Sequence, residues 1–387
     1  MAKSNLVPLA AVILVALGLG VVLTVLASRR LPVRVSLAFL GDTRISALGC
    51  DSKGVWLAVT REATVDEVKT VGVSAALGSQ PFSLVRIART GEPRNLFRDR
   101  GRPLALSVTE DGAMWLLFQN PPEGQTDAFS VRRSVDGGTS WTAVDAPRDA
   151  IGLAFQSRDT GYCWSAQRLY RTDDGGRSWR TVDVGPGRLA GRMEPARPTL
   201  GADGALWVPL HPELTSQEVP PADGKVVWTD GRAPPLGMRS FPGEQIRGVA
   251  PEPGGAVLIL APSMDRGCRA VRIAGASPGD GIETLWSQTK GSCRLQFAPG
   301  LLLLDYVEEF QPKSFFSTWP RRALVSLDAG KNWFTQDLTR DRVSSICPTS
   351  GGFWTVSQTQ RLLQFFPVPA QGSKASAATT RSTGSPP

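Results

Sequence analysis

Thr172-Asp173-Asp174-Gly175-Gly176-Arg177-Ser178-Trp179 ends a run of alternating apolar and polar residues, and the same pattern recurs twice. The other copies are Ser134-Val135-Asp136-Gly137-Gly138-Thr139-Ser140-Trp141 and Ser326-Leu327-Asp328-Ala329-Gly330-Lys331-Asn332-Trp333. The spacing has a physical reading. A hydroxyl and a carboxylate two residues apart can bond the backbone amides of a tight turn, and glycine takes the backbone conformation that a side chain obstructs. The tryptophan then opens the next strand and packs between neighbouring sheets. Each octapeptide reads as a hairpin staple, so Ser134, Asp136, Gly138 and Trp141 are structural residues despite the acid. The same holds for Thr172, Asp174, Gly176 and Trp179, and for Ser326, Asp328, Gly330 and Trp333.

A second motif, strand–turn–strand with an aromatic or aliphatic centre, recurs between the staples. It occupies 45–60 with Trp56, 104–119 with Trp115, 151–166 with Trp164 and 197–210 with Trp207. It continues through 246–261, 293–306 and 343–357 with Trp354. Leu104 to Ile151 is 47 residues, Ile151 to Ile246 is 95 and Ile246 to Val343 is 97, a period of about 48. Each unit can supply four strands, but the seventh runs out after 361–366. The orphan alternating segment 33–40 fits that gap, and the exchange would close a ring of sheets without a free seam. The expected fold is all-β, a seven-bladed β-propeller over 31–368, with six blades as the alternative.

The octapeptide resembles the Asp-box of sialidase-like propellers. Residues 151–182, I-G-L-A-F-Q-S-R-D-T-G-Y-C-W-S-A-Q-R-L-Y-R-T-D-D-G-G-R-S-W-R-T-V, resemble the repeat of the photosystem II assembly factor family. That likeness is partial over 128–146 and 324–338 and faint elsewhere. It implies a non-catalytic propeller outside the cytoplasm that binds protein partners. The chain departs from the family in lacking a lipid-attachment cysteine and in degenerate boxes in units one, four and five.

The sialidase branch fits less well. Its chemistry needs an arginine clamp, a Tyr–Glu pair and an acid. Val85-Arg86-Ile87-Ala88-Arg89 lacks the proline of the sialidase Arg-Ile-Pro motif, and sialidases use six blades. Tyr306 beside Glu308 and Glu309 is the one tempting constellation. With a single histidine, His211 in a V-P-L-H-P-E stretch read as a loop, multi-His metal sites are excluded. No catalytic residue, cofactor site or metal site is assigned. A glycoside hydrolase or carbohydrate-binding protein is the alternative function.

From Leu6 to Ala27 there is no charge; Lys3 precedes the segment, and Arg29 and Arg30 follow it. Its 22 residues match a spanning helix of about 20 better than a secretory apolar region of about 7–15. Residues 1–30 are therefore expected to be a transmembrane signal anchor, with a cleaved signal peptide ending at Val25-Leu26-Ala27 as the alternative. The Ser/Thr/Ala/Gly/Pro-rich residues 369–387 read as a disordered tail. The formal charge of +8 comes without any Lys/Arg run of five, so no nucleic-acid partner is expected. Among five cysteines no C-x-x-C spacing occurs. Cys50 with Cys347 and Cys268 with Cys293 fall in adjacent units and fit disulfides of an oxidising compartment, while five reduced core thiols fit the sequence too.

Four long insertions, 61–80, 120–127, 211–224 and 308–321, fall between the second and third strands of their units and so share one face. The fourth carries Phe310, Phe315, Phe316 and Trp319 with Arg321 and Arg322, the composition of interface anchors with a charged rim. The alternative is that these rings fold back on the edge of the ring. The expected partners are the membrane, through residues 6–27, and another membrane or extracytoplasmic protein. The propeller is expected in the periplasm or extracellular space.

Overall fold

The computed structural model describes residues between Val33 and Pro367. Outside the description lie 1–32, 368–387, 38–42, 62–79 apart from Lys69, 121–128, 190–196, 212–222, 275–280, 308–320 and shorter turns. The described residues form seven antiparallel sheets, numbered here from one in chain order of their first strands.

Sheet one comprises Thr43–Cys50, Gly54–Arg61, Pro81–Ala88 and Pro93–Arg100, and sheet two Arg102–Val108, Met114–Gln119, Phe129–Ser134 and Thr142–Val144. Sheet three is Gly152–Phe155, Gly161–Trp164, Leu169–Thr172 and Arg180–Val182. In sheet four the first strand is split, since Arg188–Leu189 and Thr199–Leu200 both pair with Leu206–His211, followed by Gly224–Thr229 and Gly237–Phe241. Sheet five has Gln245–Glu252, Gly255–Ala261, Cys268–Ala274 and Glu283–Gln288, and sheet six Ser292–Ala298, Leu301–Val307, Arg321–Ser326 and Phe334–Asp337.

Sheet seven takes Val343–Thr349, Gly352–Ser357 and Leu362–Pro367, and its outer strand is Val33–Ser36 from the other end of the chain. Val33 stands opposite Phe365 and Ser36 opposite Leu362. Backbone hydrogen bonds thus join the two ends of the chain, as the orphan strand required. The first strands touch in cyclic order, and that of sheet seven touches that of sheet one. At the tightest approach, a Cβ on Gly248 of sheet five would lie 2.7 Å from the Leu295 Cβ of sheet six, so glycine is needed there.

No single core fills this ring. Seven buried clusters sit one at each junction between neighbouring sheets. Between sheets two and three, Trp115 stacks on Phe155 at 3.8 Å with planes 4° apart. Between seven and one, Trp354 packs with Val55, Leu57 and Leu37. Burial of each such ring contributes about 3 kcal/mol at the upper end of the usual range. Alternation along the strands explains the arrangement. Trp115 and Leu117 face sheet three, whereas Met114, Leu116 and Phe118 face sheet one.

Two cysteine pairs are joined, Cys50 to Cys347 with Cα atoms 6.2 Å apart and Cys268 to Cys293 at 6.4 Å. The first links the first strands of sheets one and seven, the second the sheets five and six. Cys163 is free and wholly buried, and burial pushes its thiol far up, which leaves it inert. His211, read from sequence as a loop residue, ends the second strand of sheet four instead.

Candidate functional site

The sheets define two faces. Second-to-third connections and inter-sheet connections lie at one, here the loop face; the octapeptide turns lie at the other, the box face. Register follows directly from the antiparallel order, since each first strand begins opposite the end of a second strand.

At the box face the staples form from the residues that the pattern named. Thr172 donates through its hydroxyl to Asp174 Oδ1 at 2.8 Å and accepts the Gly176 N–H at 2.8 Å. Asp174 accepts the Ser178 N–H at 2.9 Å and the Ser178 hydroxyl at 2.6 Å. The box of sheet two repeats this with Ser134, Asp136, Gly138 and Ser140, and that of sheet six with Ser326, Asp328, Gly330 and Asn332. Gly175 and Gly176 have φ of 77° and 96°. In the third box the first of these places is held by Ala329, at φ 58°, a conformation that side chains resist. Trp141 Nε1 donates to Gly138 O at 3.1 Å, and its ring lies 5.0 Å from Phe97 of sheet one. Trp179 Nε1 instead crosses to Asp145 O at 2.8 Å.

Each box carboxylate thus accepts from hydroxyls and amides of its own turn. The Ser178 hydroxyl, then the Ser178 amide and the Thr172 hydroxyl, hold the Asp174 carboxyl far below the usual range. Asp136 is depressed likewise, first by the Ser140 hydroxyl. For Asp328 partial burial works against the shift, and the Asn332 bonds prevail. A carboxylate depressed in the folded state stabilises it above the unfolded value near 3.9, and this is lost as pH falls below that. Asp174→Asn should therefore melt lower than the parent at about pH 7, and the gap should narrow by about pH 2.5. Thermal melts across that range check it; an unchanged gap would show that the charge of Asp174 is not what the staple uses.

Several arginines clasp neighbouring sheets together. Arg133, one residue before the box hydroxyl, donates to Arg158 O on sheet three at 2.8 Å and lies over the Trp115 ring at 5.8 Å. Arg158 pairs back to Asp111 of sheet two at 2.6 Å. Arg171, in the same place before Thr172, donates to Asp230 O, and Arg180 donates to Gly231 O at 2.6 Å. Their target is the degenerate box of sheet four, where Thr229 Oγ1 accepts the Gly231 N–H at 2.9 Å. Arg272 of sheet five reaches Ala329 O of sheet six.

At the loop face, the connections 62–80, 120–128, 212–223 and 308–320 follow the second strands of sheets one, two, four and six. Phe310, Phe315, Phe316 and Trp319 lie outside the described residues. Arg321 and Arg322 are the first two residues of the third strand of sheet six, opposite Val307 and Tyr306, rather than loop residues. Tyr306 is in the second strand of that sheet; Glu308 and Glu309 lie outside the described residues. Beside this face a shallow cleft of about 460 Å³ runs down the flank between sheets two and three, lined by Pro147, Arg148, Asp149, Arg168, Tyr170 and Trp179. Tyr170 Oη donates to Asp149 Oδ1 at 3.1 Å, and burial raises the phenol further above its ordinary value. Among the described residues no group of three His, Cys, Asp or Glu side chains is placed to hold a metal. Among them, too, no helix is long and apolar enough to cross a membrane; residues 6–27 lie outside them.

No protein-family profile matches the chain. A xyloglucanase from Paenibacillus sp is 33% identical over 116 residues, 29% of this chain and 10% of that enzyme. The chain thus spans about a tenth of the length of the curated relative it matches. Among solved structures, YCF48 from Cyanidioschyzon merolae superposes with a TM-score of 0.51 at 12% identity, over 84% of this chain and 96% of that one. The GH74 xyloglucanase from Xanthomonas campestris gives 0.53 at 15%, over 87% and 56%. The β-propeller domain of the Trilobed protease from Pyrococcus furiosus gives 0.54 at 10%, over 84% and 95%. At such identities the likeness is one of fold: the chain is a β-propeller. Hydrolases and YCF48 share that fold, so it assigns no chemistry by itself.

Proposed function

We propose that this chain is a seven-bladed propeller, held to a membrane by residues 6–27 with its ring outside the cytoplasm, that binds a protein partner on its loop face. The observation that carries the reading is the placement of the four long connections at one face of a ring closed by Val33–Ser36. Long loops on a rigid scaffold are where binding residues concentrate. Phe310, Phe315, Phe316 and Trp319 supply the apolar anchors, and Arg321 and Arg322 the charged rim. The two cysteine pairs support an oxidising compartment. The partner is expected to be another membrane or extracytoplasmic protein.

The test is photo-crosslinking in native membranes from a benzophenone amino acid placed at Phe316, with the same group at Thr142 on the box face as control. A discrete adduct from position 316 alone is expected. Equal labelling from both positions, or none from 316, would remove the loop face as the binding face. A second reading, a glycoside hydrolase or carbohydrate-binding protein, is favoured by the 116-residue match to a xyloglucanase. Release of reducing ends from xyloglucan or a sialoside, abolished by Tyr306→Phe, would replace the first reading with the second.

A further inference from the structure

The large apolar side chains exposed on this ring are not scattered. Leu236 is 58% exposed, Met238 54%, Ile282 41% and Phe334 42%, and they belong to consecutive sheets four, five and six. Each lies where an outer strand begins. Leu236 immediately precedes Gly237–Phe241, and Met238 is its second residue. Ile282 precedes Glu283–Gln288, and Phe334 opens Phe334–Asp337. Outer strands begin just after the third-to-outer turns, so all four residues stand on the box-side rim. The same place in sheets one, two and three holds Arg94, Thr142 and Arg180, also exposed. Among the described residues one further large apolar side chain is exposed, Val135 at 39%, and it sits apart in the box of sheet two. Scattered apolar residues need no explanation, but an apolar rim over three adjacent sheets does.

Sheet seven is next around the ring, and there the chain's own N-terminal segment arrives. Its third strand, Leu362–Pro367, runs toward the box face, and the antiparallel Val33–Ser36 therefore starts at that face. Residues 28–32 alone separate Val33 from the uncharged stretch 6–27. Fully extended, that link spans about 20 Å. Whatever holds residues 6–27 is thus held close to the rim that bears Phe334, Ile282, Met238 and Leu236. Charge agrees. Of the formal +8, Lys3, Arg29, Arg30, Lys374 and Arg381 supply five, with no acid in 1–32 or 368–387, so residues 33–367 carry only +3. The exposed Lys331 lies three residues from Phe334, and Glu283 beside Ile282 pairs at 2.5 Å with Arg272, which Glu252 shares at 3.1 Å.

We propose that the box-side rim of sheets four to six rests on the phospholipid bilayer that holds residues 6–27, with Leu236, Met238, Ile282 and Phe334 entering its interface. This rests on the anchor reading above. Side chains of an interfacial apolar surface reach about 5–10 Å into the boundary between headgroups and acyl chains. The loop face then points away from the bilayer, toward an extracytoplasmic partner.

The experiment uses the full chain in nanodiscs of phosphatidylcholine and phosphatidylglycerol. Met238→Cys, Ile282→Cys and Phe334→Cys, with Thr142→Cys and Arg180→Cys as controls, are labelled singly with a fluorophore; Cys163 is buried and the other cysteines are paired. All five positions are exposed; Arg180→Cys also removes the bond to Gly231 O, so its thermal melt is matched to the parent before its quenching is compared. Lipids carrying a nitroxide near the headgroup should quench positions 238, 282 and 334 about threefold more than 142 and 180. Equal quenching at all five, in a chain that floats with liposomes and resists carbonate extraction, overturns the rim docking and leaves the anchor standing. A chain that does not float overturns the anchor and this inference with it.

Discussion

Replacing Cys50 and Cys347 together by alanine should lower the melting temperature of the oxidised protein by roughly 3–7 °C. That follows from a loss of about 2–5 kcal/mol and an unfolding entropy near 0.7 kcal/mol/K for a ring of this length. The bond joins residues 297 apart in sequence. In the chain-entropy treatment a loop that long restricts the unfolded chain by roughly 5–6 kcal/mol, against roughly 3.5 for the 25-residue separation of Cys268 and Cys293. The position matters as much as the length. Strand Val33–Ser36 joins the start of the chain to sheet seven by backbone hydrogen bonds, and the junction of sheets seven and one is held further by packing of Trp354, Val55 and Leu57 and by this bond. The matched variant, Cys268→Ala with Cys293→Ala, should lose less through the unfolded chain. Its sulfurs are the more buried pair, so a greater loss there would mean that packing outweighs loop closure. Calorimetry of both variants without reductant decides. A Cys50/Cys347 variant within about 1 °C of the parent would show that the ring needs no covalent closure.

Much of the ring was legible because its determinants are local and repeated. Three octapeptides placed three hairpins, since the staple bonds run over only four residues, from Thr172 to Gly176 or Asp174 to Ser178. The period placed first strands at Ile45, Leu104, Ile246 and Val343, and each lies within the strand observed. What stayed hidden depends on neighbours far away in sequence. Arg133 and Arg171 donate to backbone carbonyls on the next sheet, 25 and 59 residues on, and a carbonyl carries no residue signature. Their one visible mark is their place before the box hydroxyl. The split first strand of sheet four consists of two-residue pieces, too short to alternate. Leu236, Met238, Ile282 and Phe334 look like ordinary strand residues until the sheets are set side by side.

The two faces thereby acquire different work. Arginine clasps, staples and turns give the box face many backbone-directed bonds, and its exposed rim changes from Arg94, Thr142 and Arg180 in sheets one to three to apolar side chains in sheets four to six. The four long second-to-third connections, after Arg61, Gln119, His211 and Val307, open at the opposite face. Insertions are tolerated best where they do not disturb inter-sheet packing.

Trp319→Ala should weaken capture of the partner about thirtyfold at 25 °C, the equivalent of the roughly 2 kcal/mol that an aromatic anchor commonly contributes. Three phenylalanines and a tryptophan fall within ten residues, bounded by Glu308 and Glu309 before and Arg321 and Arg322 after. Rings of this size lose little rotamer freedom on binding and bury a large area, so a few of them dominate an interface. The connection leaves Val307 and returns at Arg321, outside the strands whose packing closes the ring, so the melting temperature should stay within about 1 °C of the parent. Trp179→Ala is the control. Its indole donates to Asp145 O at 2.8 Å and meets Phe155 edge-on at 6.1 Å, so its loss should destabilise the junction of sheets two and three by about 2–3 kcal/mol while leaving capture intact. Capture by the cross-linked partner, measured beside thermal melts, separates the two roles. If Trp319→Ala lowers the melting temperature as much as Trp179→Ala and leaves capture unchanged, the aromatic segment belongs to the ring and the partner binds elsewhere.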